Sequence, residues 1–165
     1  MRLKTYFPMP VPAKTALALS LAFSVLTASA QMAPVLTVAP QPTVKVAKGA
    51  TAKITLTASL PKGYHANTNK PTEQYLIPMT LKWTAGPLQM EGIDYPKGAL
   101  EKYEFSEKPI AVVTGEFSIV TTFKVPAGAS NGPAAQVGAL RYQACDSKAC
   151  YPPKTVPVNV TVQVE

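Results

Sequence analysis

Two cysteines, Cys145 and Cys150, are the only thiols in a chain of 165 residues, and both lie in the run Tyr142-Gln143-Ala144-Cys145-Asp146-Ser147-Lys148-Ala149-Cys150-Tyr151-Pro152-Pro153. Their chemistry is disulfide formation, either as a local clip or as a redox-active pair. A six-residue ring restricts the unfolded chain little: the loop-entropy relation gives about 2 kcal/mol, against about 4.7 kcal/mol for a loop of about 100 residues. So short a ring is a weak staple, and the reactive reading leads. Between the sulfurs, Asp146 should raise a neighbouring thiol's pKa and Lys148 should lower it. Tyr151 and the Pro152-Pro153 pair stiffen the far side of the loop and hold the sulfurs near bonding distance. The spacing is not the Cys-x-x-Cys of thioredoxin-like sites, and no βαβ pattern surrounds it. Two cysteines and the single His65 also fall short of a tetrahedral zinc set, so neither a metal nor a cofactor is expected.

Other chemistry-bearing groups give weaker signals. Met32, Met79 and Met90 with His65 have the ligand types of a Cu(I) site, but they are scattered along the chain. His65, beside Tyr64 and Asn67 after the Pro61-Lys62-Gly63 turn, reads as a polar loop residue. Glu101, Glu104 and Glu107 read as a solvated loop. Asn159-Val160-Thr161 matches a glycosylation sequon but falls in an expected strand. Trp83 reads as an anchor between sheets.

The N-terminus bears on the redox compartment. Arg2, Lys4 and Lys14 form a basic region, Ala16 to Thr27 an apolar run, and Ala28-Ser29-Ala30 a small-x-small cleavage site, which predicts a signal peptide over residues 1–30. That run is shorter than the ~20 residues needed to span a bilayer, so no stable membrane insertion of the mature chain is expected. No cysteine follows the cleavage site to take a lipid. The expected location is periplasmic or secreted, where disulfides persist. Cleavage leaves 135 of 165 residues, enough for one domain; it removes three of 16 basic and none of nine acidic residues, lowering the net charge from +7 to +4. The remaining lysines are dispersed and Arg141 is the one arginine left, so no nucleic-acid surface is expected.

The elements that must position the cysteines are strands. Residues 31–42 carry Pro34, Pro40 and Pro42 and read as an extended, Pro-rich lead-in, with the domain proper over 43–165. Ala52, Ile54, Leu56 and Ala58 alternate with Lys53, Thr55 and Thr57, a period of two. Leu76 to Trp83, Phe117 to Val125, Ala135 to Cys145 and Val156 to Val164 continue the pattern. Turn signals separate them: Pro61-Lys62-Gly63, Pro96-Lys97-Gly98, Pro126-Ala127-Gly128 and Asn131-Gly132. No segment offers an amphipathic helix. Seven or so short strands predict an all-β, immunoglobulin-like antiparallel β-sandwich, with a barrel as the alternative.

The run from Arg141 to Val158, with its Tyr-Gln-x-Cys-x4-Cys-Tyr-Pro-Pro-x-Thr-x-Pro pattern, resembles the cysteine segment of the N-terminal periplasmic domain of the thiol:disulfide interchange protein DsbD. Gly63-Tyr64 and Glu104-Phe105 fall in the order that family shows. The resemblance implies an immunoglobulin-like fold whose cysteines, here Cys145 and Cys150, cycle between dithiol and disulfide. Electrons would come from a membrane-embedded or thioredoxin-like thiol donor and pass to periplasmic disulfide-containing acceptor proteins. By the same resemblance Cys150 attacks the acceptor and Cys145 resolves. A cap loop would lay Phe105, preceded by Glu104, over the pair, with Tyr142, Tyr151 and Tyr64 packing around it.

The sequence departs from the family pattern in four ways. Tyr103 stands where an acidic residue is expected, the glycine after the cap aromatics is missing, and four residues rather than five separate the cysteines. The membrane section and thioredoxin-like domain of the full family protein are absent from this chain, which is expected to stand alone. The primary expectation is an electron-carrying thiol:disulfide oxidoreductase. The alternative is a non-enzymatic β-sandwich that binds a protein partner and clips one hairpin with a structural disulfide.

Overall fold

Strict alternation of buried and exposed side chains shows how the long strands are held. In Thr51–Ser59, the side chains of Ala52, Ile54, Leu56 and Ala58 are buried while Thr51, Lys53 and Thr55 face solvent. Glu116–Lys124 pairs with it antiparallel along its whole length and buries Phe117, Ile119, Thr121 and Phe123 on the matching face. The structure, a computed structural model, describes residues 35–165. The expected signal peptide and Met32 lie outside the described residues.

Twelve strands follow in order: β1 (Thr37–Val38), β2 (Val44–Val46), β3 (Thr51–Ser59), β4 (His65–Asn67), β5 (Thr80–Trp83), β6 (Gln89–Asp94), β7 (Ala99–Glu101), β8 (Ile110–Thr114), β9 (Glu116–Lys124), β10 (Gly132–Tyr142), β11 (Ala144–Cys145) and β12 (Lys154–Val164). They form three sheets with the orders β1-β3-β9-β6, β2-β12-β10-β5 and β11-β4-β8-β7. Each order ends in two edges, so the architecture is an open sandwich rather than a closed barrel. No helix occurs among the described residues. All pairings are antiparallel except β2 on β12, a parallel pair at a sheet edge.

The first two sheets share one core. Leu56, Ile119 and Phe123 from one side meet Leu140, Val160 and Val162 from the other, all almost wholly buried. Trp83 bridges them as expected of an inter-sheet anchor: its ring meets Phe123 edge-on at 5.0 Å, and its Nε1 donates to the Thr121 hydroxyl at 3.1 Å. Gly138 makes room for that ring, since a Cβ there would come within 2.6 Å of it.

The fold also reaches ahead of Thr43, where the sequence placed the start of the domain. β1 pairs with β3, and buried Leu36 donates its amide to the Tyr142 hydroxyl at 2.8 Å. From Leu36 onward this stretch is tied down, because that side chain has a buried place to fill. Strand limits differ elsewhere too. The segment from Leu76 enters a strand only at Thr80, Pro78 interrupting it, and the run Ala135 to Cys145 breaks at Gln143, where the chain leaves the second sheet for the third.

The third sheet positions the cysteines. Opposite faces of a strand alternate, and Ala66, Val113 and Ala144 join the main core. The other face carries Ile110 and Val112, which with Leu76 form a small second cluster covered by Tyr103 and Phe105.

Candidate functional site: the cysteine hairpin and its cap

Between β10 and β12 the chain makes an excursion at whose tip Cys145 and Cys150 are joined by a disulfide, with an S–S distance of 2.01 Å and Cα atoms 3.9 Å apart. The two cysteines also form an isolated antiparallel bridge. Asp146 organises the turn between them. Its Oδ1 accepts the amides of Lys148 at 2.8 Å and Ala149 at 2.9 Å, and its Oδ2 accepts the Tyr151 hydroxyl at 2.8 Å. The Asp146 amide donates to the Ala149 carbonyl and the Tyr151 amide to the Ala144 carbonyl, each at 2.9 Å. Those donors hold the Asp146 carboxyl below the usual carboxylate range. The same bond to Asp146 pushes the Tyr151 hydroxyl up to about 12. The charge that the sequence set against the thiols is thus already engaged by the turn.

At the base of the excursion Gln143 ties three segments together. Its Nε2 donates to the Tyr151 carbonyl at 3.1 Å, and its Oε1 lies 3.4 Å from both Asn67 Nδ2 and the Ile77 amide. Asn67 Nδ2 also donates to the Ile77 carbonyl at 3.1 Å.

The pair is asymmetric. Cys145 is 0% exposed, whereas Cys150 is only partly covered. Cys145 is paired on its other side with His65, and His65 in turn with Thr114. Directly opposed residues of antiparallel strands project to the same face. Cys150, Cys145, His65 and Thr114 therefore form one row across the sheet, on the face away from the main core.

The segment expected to form the cap lies against this row at His65. Tyr103 stacks on His65 with ring centroids 3.9 Å apart and planes 16° from parallel. Phe105 lies beside the two rings and nearly parallel to both, 5.5 Å from Tyr103 and 6.1 Å from His65. The Tyr103 hydroxyl donates to Glu101, and burial together with that bond raises its pKa. The cap turn is closed by the Ser106 amide donating to the Tyr103 carbonyl at 3.2 Å, by Ser106 Oγ donating to the Lys108 carbonyl at 2.7 Å, and by Lys102 Nζ donating to the Ser106 carbonyl. Beside the cap a cavity of about 470 Å³ is lined by Tyr64, His65, Glu101, Tyr103 and Ser147 among others.

The residues expected at the site fall into three groups. Cys145, Cys150, Tyr151 and Tyr64 come together, the two tyrosine rings lying 6.0 Å apart. Phe105 sits in the cap with Glu104 exposed beside it, but Tyr103 takes the nearest place to the row. Tyr142 is placed differently, in the main core with its hydroxyl on the Leu36 amide.

His65 requires a correction. It is a strand residue 2% exposed, not a polar loop residue, and its Nε2 is buried with no hydrogen-bond partner. Burial lowers its pKa, against the opposing pull of Glu101 and Asp146. All three residues of β4 are buried, so no alternation betrayed it. Of the methionines grouped with it by ligand type, Met79 is buried in the main core and Met90 lies exposed on β6. Among the described residues no group of three or more His, Cys, Asp or Glu could hold a metal ion.

The family model described as thiol:disulfide interchange protein DsbD, N-terminal, matches residues 33–161. The chain belongs to this family. Two solved structures resemble its fold. The DsbD N-terminal domain of Neisseria meningitidis in the reduced form is 21% identical, with a TM-score of 0.45, covering 70% of this chain and 82% of that one. The N-terminal periplasmic domain of ScsB from Proteus mirabilis is 16% identical, with a TM-score of 0.51, covering 75% of this chain and 43% of that one. The chain thus spans less than half of the ScsB structure. No curated protein matches it. As a DsbD N-terminal family member it presents an immunoglobulin-like sandwich carrying a disulfide-bonded cysteine pair. No helix among its described residues is long and apolar enough to cross a membrane.

Proposed function

We propose that this protein is a periplasmic thiol–disulfide carrier that passes reducing equivalents through Cys145 and Cys150 to exported proteins. The observation that carries the proposal is the asymmetry of the pair: Cys145 is wholly buried and Cys150 partly open at the tip of a hairpin. An incoming disulfide can meet Cys150 and cannot meet Cys145. Exchange needs this division of labour, one thiolate to attack and a second sulfur held in reserve to resolve the mixed disulfide. Family membership supports the chemistry, and the cap supports its control. Glu104 and Phe105, with Tyr103, form a cover that a docking partner must displace, while Tyr64 and Tyr151 flank the hairpin and Tyr142 braces the end of β10.

The donor in this reading is a membrane-embedded or thioredoxin-like thiol protein, and the acceptors are periplasmic proteins with accessible disulfides. Residues 1–30 serve as the export signal and residues 31–42 as a lead-in that the fold ties down from Leu36 onward. The alternative, a structural clip in a protein-binding sandwich, takes its support from the ordered hairpin in which the disulfide sits, with Asp146 accepting the amides of Lys148 and Ala149.

Trapping separates the two. Cys145→Ala leaves Cys150 without its resolving partner, so mixing the reduced variant with an oxidised thioredoxin-like domain should accumulate a mixed disulfide on Cys150. The variant Cys150→Ala should trap none. Equal trapping by both, or none by either, would sink the carrier reading.

A further inference from the structure

A buried polar atom without a partner is an exception that calls for a reason, because an unsatisfied group forfeits its hydration. His65 Nε2 is such an atom, and it sits in the row that carries the cysteines. His65 and Cys145 are directly opposed on antiparallel strands, so their Cβ atoms leave the same face about 4.5–5.5 Å apart. Both residues are closed to solvent, at 2% and 0% exposure. No water can reach Cys145 easily to remove its proton, yet a resolving cysteine attacks only as thiolate.

We propose that His65 is the proton acceptor for Cys145 during resolution of the mixed disulfide. The inference rests on the exchange reading above and adds a residue to it. Reduced Cys150 loses its proton to solvent, and its thiolate attacks an acceptor disulfide. One acceptor sulfur joins Cys150 and the other leaves as thiolate, which takes a proton from solvent. Cys145 then passes its proton to the imidazole and attacks Cys150 Sγ. The Cys145–Cys150 bond forms, the bond from Cys150 to the acceptor breaks, and the second acceptor sulfur leaves as thiolate and is protonated by the imidazolium. Two electrons and two protons have moved from the pair to the acceptor disulfide, and the imidazole is neutral again.

The groups facing His65 suit this task. Tyr103 covers it from the cap, Glu101 approaches from the end of β7 and Asp146 from the cysteine hairpin, with Tyr64, from the turn before β4, and Lys62 lining the shared cavity. Burial keeps the resting imidazole neutral, and the carboxylates of Glu101 and Asp146 favour the transient imidazolium. The base is therefore ready in the resting state and supported once it is charged.

Stopped-flow reaction of the fully reduced protein with the aromatic disulfide dithiobis(nitrobenzoate) separates the steps, because each releases one coloured thiolate. The first release reports attack by Cys150 and the second reports resolution by Cys145. His65→Gln should leave the first phase within about twofold and slow the second by at least about tenfold near neutral pH. The wild-type second phase should level off with an inflection below the ordinary imidazole value of about 6.5, whereas in the variant it should climb about tenfold per pH unit toward the ordinary thiol value of about 8.5. Near-ultraviolet circular dichroism checks that the variant is folded. Should it not fold, the wild-type profile decides, since a tenfold climb per unit throughout the neutral range overturns the proposal. So does a folded variant with an unchanged second phase. A missing first phase overturns the exchange reading itself, and this inference with it.

Discussion

The two faces of the third sheet are built on opposite terms. Ala66, Val113 and Ala144 merge with a core spanned by β3 and β9, paired over nine residues, and by β10 and β12, paired over eleven. The other face holds only Leu76, Ile110 and Val112 under two partly exposed rings, beside strands of two and three residues. Apolar burial scales with area, so stability resides in the first region. The second is where local opening is cheapest, and it carries the disulfide, His65 and the cap. A rigid sandwich thus presents a lightly held site at one sheet face.

Substitutions can break this contrast. The largest effect should come from the core: Phe123→Ala is expected to cost about 3–5 kcal/mol in urea unfolding, because its ring is fully buried against Trp83. Removing the disulfide by changing both cysteines to alanine should cost about 2 kcal/mol, as the loop-entropy relation gives for so short a ring. A loss as large as that of Phe123→Ala would show that the hairpin is a main staple and erase the distinction. Phe105→Ala should cost about 1 kcal/mol, its ring being only partly buried, while speeding reduction of the disulfide by dithiothreitol several-fold. Unchanged reduction kinetics would mean that the cap does not restrict access.

A smaller effect concerns pH. His65 has a folded pKa below its ordinary 6.5, so the unfolded chain binds a proton that the folded chain refuses. Its contribution is complete above pH 6.5 and is lost as pH falls from there toward the folded value. Asp146, also depressed, adds a loss in the same direction at pH below about 4. Urea midpoints measured from pH 7 to pH 5 should fall for the wild type and fall less for His65→Gln. Parallel slopes would show that His65 does not titrate with folding.

The long strands were legible because their faces differ: a run such as Thr51–Ser59 has a buried and an exposed side, and alternation records it. The short strands were not. β4 is buried on both faces, so His65-Ala66-Asn67 carries no period, and a histidine after a glycine turn looks like loop. The positive φ of Gly63, 86°, was legible as the turn itself, but not that the strand beyond it runs under the cap. The cysteine pair and its aromatic flank were legible from residue types in a short run. Tyr103 could be seen only as a departure where an acidic residue was expected. The contact it makes depends on where β7 and β8 deliver it against His65, a meeting of distant segments that no local pattern encodes.

The reduction potential of the Cys145–Cys150 pair tests the central claim most directly. Equilibration of the folded protein in glutathione and dithiothreitol buffers, followed by thiol counting, should place the pair above about −300 mV, in the range of exchange proteins. A pair that remains oxidised at potentials well below that mark is a structural disulfide, and would contradict the account.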